Sequence, residues 1–260
     1  IAQELSSRQT IRALLSDEVG LGKTIEACLV LHQLLATNRV ERVLIVVPDA
    51  LLLQWFVELY RKFNLSFTIF NTEFYAGHAE QAVGENPFTK QTLILTHFDF
   101  VFSDPVRQAL IKDAGWDLVI IDEVHRIERD TPNYAFIQTL TDSIRHALLL
   151  TATPEVMGYQ SLFGICHLLY PTIYGDYPDF LEHAQHFSQL SHLVDKLESQ
   201  VALSTEDLSY AKKDLKLSSE TLKQLTNNAT LDSTTRLQII DSLLDTYGLG
   251  HIVFRNTRKH

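Results

Sequence analysis

Short apolar runs alternate with helical patterns through the first 150 or so residues. Val43-Leu44-Ile45-Val46-Val47 is continuous, β-branched and ended by Pro48, the mark of a strand buried on both faces. Residues 12–16, Phe67–Phe70, Thr92–Thr96, Leu118–Asp122 and His146–Thr151 read as further strands. Between them, Ile25, Cys28, Leu29, Leu31, Leu34 and Leu35 recur at helical spacing over Lys23–Ala36. Asp49 is placed to cap a helix carrying Leu52, Trp55, Phe56, Leu59 and Phe63. Another helix is expected around Pro105–Asp113, and the polar stretch holding Gly77, Gly84 and Pro87 is expected to be an exposed loop. This alternation predicts an α/β fold: an open parallel sheet with helices on both faces, which binds ligands at the carboxyl ends of its strands.

The character changes after Pro154. Residues 178–200 carry Leu190, Leu193, Val194 and Leu197 on one stripe, and Ser204 and Ser218 stand where N-caps are expected. Arg236–Tyr247 reads as a last helix, stopped by Gly248, before the apolar Ile252-Val253-Phe254. The organisation expected is a sheet domain over residues 1–158, an all-helical subdomain over 159–250 inserted late in it, and an exit segment over 251–260.

Composition narrows the classes. The chain has 260 residues, a net charge of −10 and ordinary apolar content. A purely electrostatic nucleic-acid binder is disfavoured by that charge, although an acidic body can still carry a basic groove. No run is long enough to cross a membrane. Cys28 and Cys166 are far apart, as in a reduced setting with two buried thiols, though a disulfide is also compatible with sequence alone. His183 and His186 are one helical turn apart and read as surface histidines rather than a metal pair. Beginning at Ile1 without a methionine or signal peptide, the chain reads as a fragment of something longer.

Two stretches carry chemistry. In Leu14-Leu15-Ser16-Asp17-Glu18-Val19-Gly20-Leu21-Gly22-Lys23-Thr24-Ile25 an apolar run enters a glycine-bearing loop that opens directly into a helix. Such a loop cradles phosphate, because small residues and a helix N-terminus turn backbone N–H groups toward it. Gly20, Leu21, Gly22, Lys23, Thr24 and Ile25 are the candidate nucleotide contacts. Lys23 would reach the outer phosphates and Thr24 would place its hydroxyl on Mg²⁺. Asp17 stands where the usual pattern has glycine, and a tight strand-to-helix turn is the simpler alternative. Ile121-Asp122-Glu123-Val124-His125 also follows an apolar strand. Asp122 would hold the Mg²⁺ and Glu123 would activate the attacking water; a solvated acidic turn is the alternative. Lys23, Asp122 and Glu123 are thus the candidate catalytic residues, with Thr24 and Asp122 as metal ligands. In Thr151-Ala152-Thr153-Pro154 the hydroxyls of Thr151 and Thr153 are placed to hydrogen-bond His125 and couple the nucleotide state to a moving part.

The order Gly-Leu-Gly-Lys-Thr, Asp-Glu-Val-His, Thr-Ala-Thr-Pro resembles superfamily-two helicases and translocases, and Asp17 in place of the first loop glycine resembles their Swi/Snf branch. Val46-Val47-Pro48 with Gln54-Trp55 is similar to that branch's motif Ia, and Thr96-His97-Phe98-Asp99 falls where a further nucleic-acid motif is expected. Pro48 and Thr96 are therefore candidate nucleic-acid contacts by motif position. The helical segment resembles the branch's helical protrusion, and Phe254-Arg255-Asn256-Thr257-Arg258 its exit from the first motor lobe. The resemblance implies a RecA-like lobe that uses ATP and Mg²⁺, acts on double-stranded DNA and works with a second RecA-like lobe. Similarity to the bacterial, RNA-polymerase-associated members implies RNA polymerase as a partner, a part in its recycling, and a cytoplasmic, nucleoid-associated location. The alternatives are an RNA helicase of the Asp-Glu-x-His type, a restriction-enzyme motor, or a docking module with a vestigial nucleotide site. The second lobe and the upstream adenine-contacting segment are not in these residues, so weak ATPase activity is expected of this chain alone.

Overall fold

The computed structural model describes residues 1–16, 22–81, 85–152, 158–226, 231–247 and 253–254. Helix α1 (Ala2–Ser7) leads into β1 (Arg12–Leu15), α2 (Lys23–Ala36), β2 (Val43–Val47) and α3 (Leu52–Phe63). Then come β3 (Thr68–Phe70), α4 (Thr72–Gln81), β4 (Leu93–His97), α5 (Phe98–Phe102), α6 (Pro105–Lys112) and β5 (Leu118–Ile121). Helix α7 (Pro132–Ser143), β6 (His146–Leu150) and α8 (Tyr159–Leu169) follow. Four further helices, α9 (Tyr177–Glu198), α10 (Thr205–Lys213), α11 (Ser219–Thr226) and α12 (Ser233–Tyr247), precede the short β7 (Val253–Phe254).

The strands form one sheet in the order β3-β4-β2-β5-β6-β1-β7, and every pairing is parallel. All carboxyl ends therefore lie along one edge. Ala13, Leu15, Val43, Ile45, Val47, Leu118, Ile120, Leu148 and Leu150 share a core with Leu5 of α1, Cys28 and Leu31 of α2, and Trp55 and Leu59 of α3. The alternate strand positions Leu14, Leu44, Val46, Val119, Ile121 and Leu149 are buried as well. Successive side chains point to opposite faces of a sheet, so both faces are covered, as the continuous apolar runs require. Cys28 and Cys166 are buried free thiols, each pushed up to about 12 by burial.

Several local expectations are corrected. Asp49 does not cap α3: it begins a 3-10 turn over Asp49–Leu51, and α3 starts after Leu51 with no side-chain cap. Most of the stretch expected as a loop is ordered. Asn71 caps α4 by accepting the Phe74 N–H at 2.9 Å. Phe74 packs on Phe70 and Tyr75 on Phe88, with ring centroids 4.8 and 5.8 Å apart. Aromatic burial thus orders a segment whose glycine and charge count suggested solvent. Helices α7 and α8 did not stand out in the periodicity. A Thr131-Pro132 start, in which the Thr131 hydroxyl accepts the Tyr134 N–H at 3.2 Å, sets α7.

The chain divides into two compact units, Ile1–Gly175 with Val253–His260, and Asp176–Ile252. The division thus falls later than residue 158, and α8 belongs to the sheet unit. Arg12 of β1 explains this, since its guanidinium donates to the carbonyls of Leu168 and Leu169 at the end of α8. The helical unit has its own core, in which Leu190, Leu193, Leu197, Tyr210, Leu225 and Ile240 meet. Ser204 and Asp207 form a reciprocal capping box at the start of α10, and the Ser218 hydroxyl accepts the Thr221 N–H at 3.1 Å. Among the described residues no helix is long and apolar enough to cross a membrane.

Candidate nucleotide-binding site

The site is built on the carboxyl edge where β1, β6 and β5 stand side by side. Each is tied to a neighbour at its end: Thr151 N–H after β6 donates to Leu15 O of β1 at 3.0 Å, Ser16 N–H after β1 to Phe254 O of β7 at 2.8 Å, and Asp122 N–H after β5 to Val46 O of β2 at 3.0 Å. Ser16 is buried at the end of β1, and among the described residues its hydroxyl oxygen has no hydrogen-bond partner. Asp17, Glu18, Val19, Gly20 and Leu21, the body of the expected phosphate loop, lie outside the described residues. The chain reappears at Gly22, which sits at φ +97° as the N-cap of α2. Glycine enters this left-handed region without the penalty a Cβ brings. Lys23, Thr24 and Ile25 form the first turn of α2 and are half-buried, so their backbone sits at the positive end of the helix.

Asp122 follows β5 directly and is only 4% exposed. Both of its carboxylate oxygens accept hydrogen bonds at 2.8 Å: Oδ2 from the Trp55 indole N–H and Oδ1 from the Glu123 backbone N–H. Burial pushes its carboxyl above the ordinary value, helped by the Glu123 charge. The two hydrogen bonds and the Lys23 ammonium pull the other way. Lys23 is thus within electrostatic reach of Asp122, although 99 positions separate them.

Glu123 lies at φ +50°, an uncommon conformation for a non-glycine residue and one that clusters at functional sites. It turns the chain into a 3-10 turn over Val124–Arg126. Its Oε2 is buried, makes no hydrogen bond, and lies 3.2 Å from His125 Nδ1. The same Nδ1 is 3.0 Å from the Thr151 hydroxyl oxygen. A single ring nitrogen thus lies between a carboxylate and a hydroxyl, and its tautomer and charge decide which one it serves. Thr153, the other expected partner of His125, lies outside the described residues.

The structure gathers Lys23, Asp122, Glu123, His125 and Thr151 along this edge. It places the expected nucleic-acid contacts differently. Thr96 is fully buried within β4, and its hydroxyl donates to Phe70 O at 2.7 Å, so that hydroxyl serves the sheet and is not presented to a ligand. Pro48 is buried and precedes the 3-10 turn, with its carbonyl accepting the Leu51 N–H. Arg255 and Arg258 of the exit segment and the side chains of His183 and His186 lie outside the described residues. The sequence gives Trp55 as an apolar helix position within the motif Ia resemblance, and neither reading includes its contact with Asp122. A buried indole N–H needs a partner, and that requirement was the available signal.

The groups at this edge suit an ATP–Mg²⁺ unit. A hydroxyl and a carboxylate are hard oxygen donors of the kind Mg²⁺ takes alongside phosphate and water. Among the described residues the buried Ser16 hydroxyl has no hydrogen-bond partner, and Glu123 Oε2 has only the His125 ring nitrogen beside it at 3.2 Å. Among the described residues no group of three or more His, Cys, Asp or Glu gathers as a self-contained metal site, and a cation held mainly through nucleotide and water needs none.

Residues 3–240 match the family described as SNF2-related domain. The chain belongs to this family. The RNA polymerase-associated proteins RapA of Erwinia tasmaniensis and Cronobacter sakazakii are each 38% identical to it across 100% of its length. The chain spans 27% of each of those relatives. Among solved structures, the Sulfolobus solfataricus SWI2/SNF2 ATPase core in complex with dsDNA superposes with a TM-score of 0.56 at 18% identity, over 94% of this chain and 63% of that one. The core domain of the same protein gives 0.58 at 18% identity, over 100% and 42%. The seven-stranded parallel sheet is thus the RecA-like fold of the SNF2 ATPase core, and the chain corresponds to its first lobe.

Proposed function

We propose that this chain is the ATP-binding first motor lobe of a DNA-dependent ATPase that translocates along double-stranded DNA. The observation that carries the reading is a buried Asp122 at the sheet's carboxyl edge, its two oxygens fixed by hydrogen bonds of 2.8 Å, with Lys23 within electrostatic reach of it. Backbone N–H groups from Gly20 to Ile25 receive the phosphates, and Lys23 neutralises their outer charge. Thr24 and Asp122 would hold Mg²⁺, which would supply charge neutralisation across the phosphates. Glu123 orients the attacking water and accepts its proton. His125 passes the state of Glu123 to Thr151 at the end of β6.

Motor action requires a second RecA-like lobe, which brings the arginine that stabilises the transferring phosphoryl group. The identity to RapA proteins, named for association with RNA polymerase, supports that enzyme as a partner, with a role in its recycling in the bacterial cytoplasm. Pro48 remains a candidate for nucleic-acid contact by motif position alone; it has no N–H of its own, so the donors to a phosphate would be the backbone N–H groups that follow it.

The test is ATP turnover by the full-length protein with and without duplex DNA, alongside Glu123→Gln. The reading expects stimulation by DNA, and a variant that still binds ATP but turns over at least ~100-fold more slowly. Turnover indifferent to both DNA and Glu123→Gln would overturn it.

A further inference from the structure

Trp55 lies in α3, 67 positions before Asp122. Trp55 is 0% and Asp122 4% exposed, so the 2.8 Å hydrogen bond between them is shielded from water. A buried carboxylate oxygen without a donor is costly, and water has little access to replace the indole. The bond is also directional. The Glu123 N–H fixes Oδ1 and the Trp55 N–H fixes Oδ2, which sets the rotation of the carboxylate about its own axis. Each oxygen keeps a lone pair for a further donor. The rest of the indole sits in the core with Val47, Leu52 and Leu59, so its position is set by packing rather than by the carboxylate.

We infer that Trp55 is a positioning residue for the magnesium-holding carboxylate, presenting Asp122 to the cation in one fixed orientation. The inference rests on the nucleotide reading above. It also links the motif around Trp55 to metal binding through the protein interior, independently of any contact to nucleic acid. Partners that orient a metal-holding group typically contribute 10–100-fold to metal affinity.

The experiment measures ADP affinity of the 260-residue chain at a series of Mg²⁺ concentrations and in EDTA, for the unmutated protein and for Trp55→Phe, Asp122→Asn and the double variant. Trp55→Phe keeps an aromatic ring in the core and removes the N–H. The expected result is a rise of about tenfold in the Mg²⁺ concentration that half-saturates ADP binding, with metal-free ADP affinity unchanged. In the Asp122→Asn background the same substitution should add less than about twofold, because both act through one carboxylate. Trp116→Phe is the control: that indole is also buried and donates to Ile111 O at 2.8 Å, and its loss should not move the Mg²⁺ dependence.

Should Trp55→Phe fail to fold, the unmutated chain still decides. It has two tryptophans, and Trp116→Phe assigns their indole N–H resonances. Adding Mg²⁺ to the ADP-saturated protein should shift the Trp55 signal and leave that of Trp116 in place. An unchanged Mg²⁺ dependence in Trp55→Phe, or an unmoved Trp55 resonance, overturns the inference alone. Absence of Mg²⁺-dependent ADP binding both in the unmutated chain and in the full-length protein, which restores the upstream segment, overturns the nucleotide reading and this inference with it.

Discussion

His125 Nδ1 lies 3.0 Å from the Thr151 hydroxyl oxygen, joining the turn after β5 to the end of β6. The same nitrogen is 3.2 Å from Glu123, so a change at the carboxylate proposed to activate water has a short path to the neighbouring strand. Thr151→Val keeps the shape of the buried side chain and removes the oxygen. It should leave Mg²⁺·ADP affinity within about threefold, because no phosphate contact is lost. DNA stimulation of turnover in the full-length protein should fall about tenfold, equivalent to about 1.4 kcal/mol of coupling. Stimulation equal to that of the unmutated protein would show that the contact transmits nothing.

Arg12 fastens α7 and α8 to the sheet. Its guanidinium donates to Thr141 O at 3.0 Å in the last turn of α7 and to Ile144 O at 2.8 Å just after it, and to Leu168 O at 3.0 Å and Leu169 O at 2.5 Å at the end of α8. These carbonyls include some that helix ends leave without partners. Arg12→Ala should lower stability by about 2–3 kcal/mol in urea. Arg12→Lys should recover only part of it, because one ammonium cannot span the fork of a guanidinium. Full recovery by lysine would mean that charge, not geometry, is what matters there.

His146 makes the fold acid-sensitive. It is buried, and its Nδ1 accepts the Ile11 N–H at 3.0 Å, which the protonated ring cannot do. Burial, reinforced by Arg145 and Arg39, brings its folded-state pKa down to about 4. As pH falls, the unfolded chain takes up the proton near 6.5 while the folded chain resists. Stability is therefore held above about pH 6.5 and lost on the way down to about pH 4. His146→Gln keeps an acceptor for Ile11 and does not titrate. Between pH 7 and pH 5 the unmutated chain should lose about 2 kcal/mol more than this variant. Equal losses would remove His146 as the cause.

The sheet was legible in the sequence because strands buried on both faces spell themselves as apolar runs, as Val43–Val47 does. The start of α2 at Lys23 and the placing of Asp122 at the end of β5 were legible because each is spelled by a few consecutive residues. Helix α4 was not, since its stability comes from Phe74 and Tyr75 meeting Phe70 and Phe88 in three dimensions. The extent of the sheet unit was not either, because Arg12 reaches 157 positions to Leu169. Thr96 shows the limit of carrying a role over by motif position: a hydroxyl expected to face a ligand is taken by the Phe70 carbonyl.

The isolated chain should bind nucleotide better than it turns it over. An arginine supplied by a partner lobe accelerates phosphoryl transfer by about 10³–10⁵, and this lobe works without it. Turnover of ATP should therefore be at least ~1,000-fold slower than in the full-length protein, with little response to DNA. Strong DNA-stimulated turnover by the 260 residues alone would contradict the division of labour between two lobes.

The most direct test of the account is calorimetric titration of Mg²⁺·ADP into this chain and into Lys23→Ala. The account predicts saturable binding to the unmutated chain and a loss of at least about tenfold in affinity in the variant. Binding of equal strength to both would remove Lys23 from the phosphate site, and with it the claim that the β1–β5 edge is where this protein holds its nucleotide.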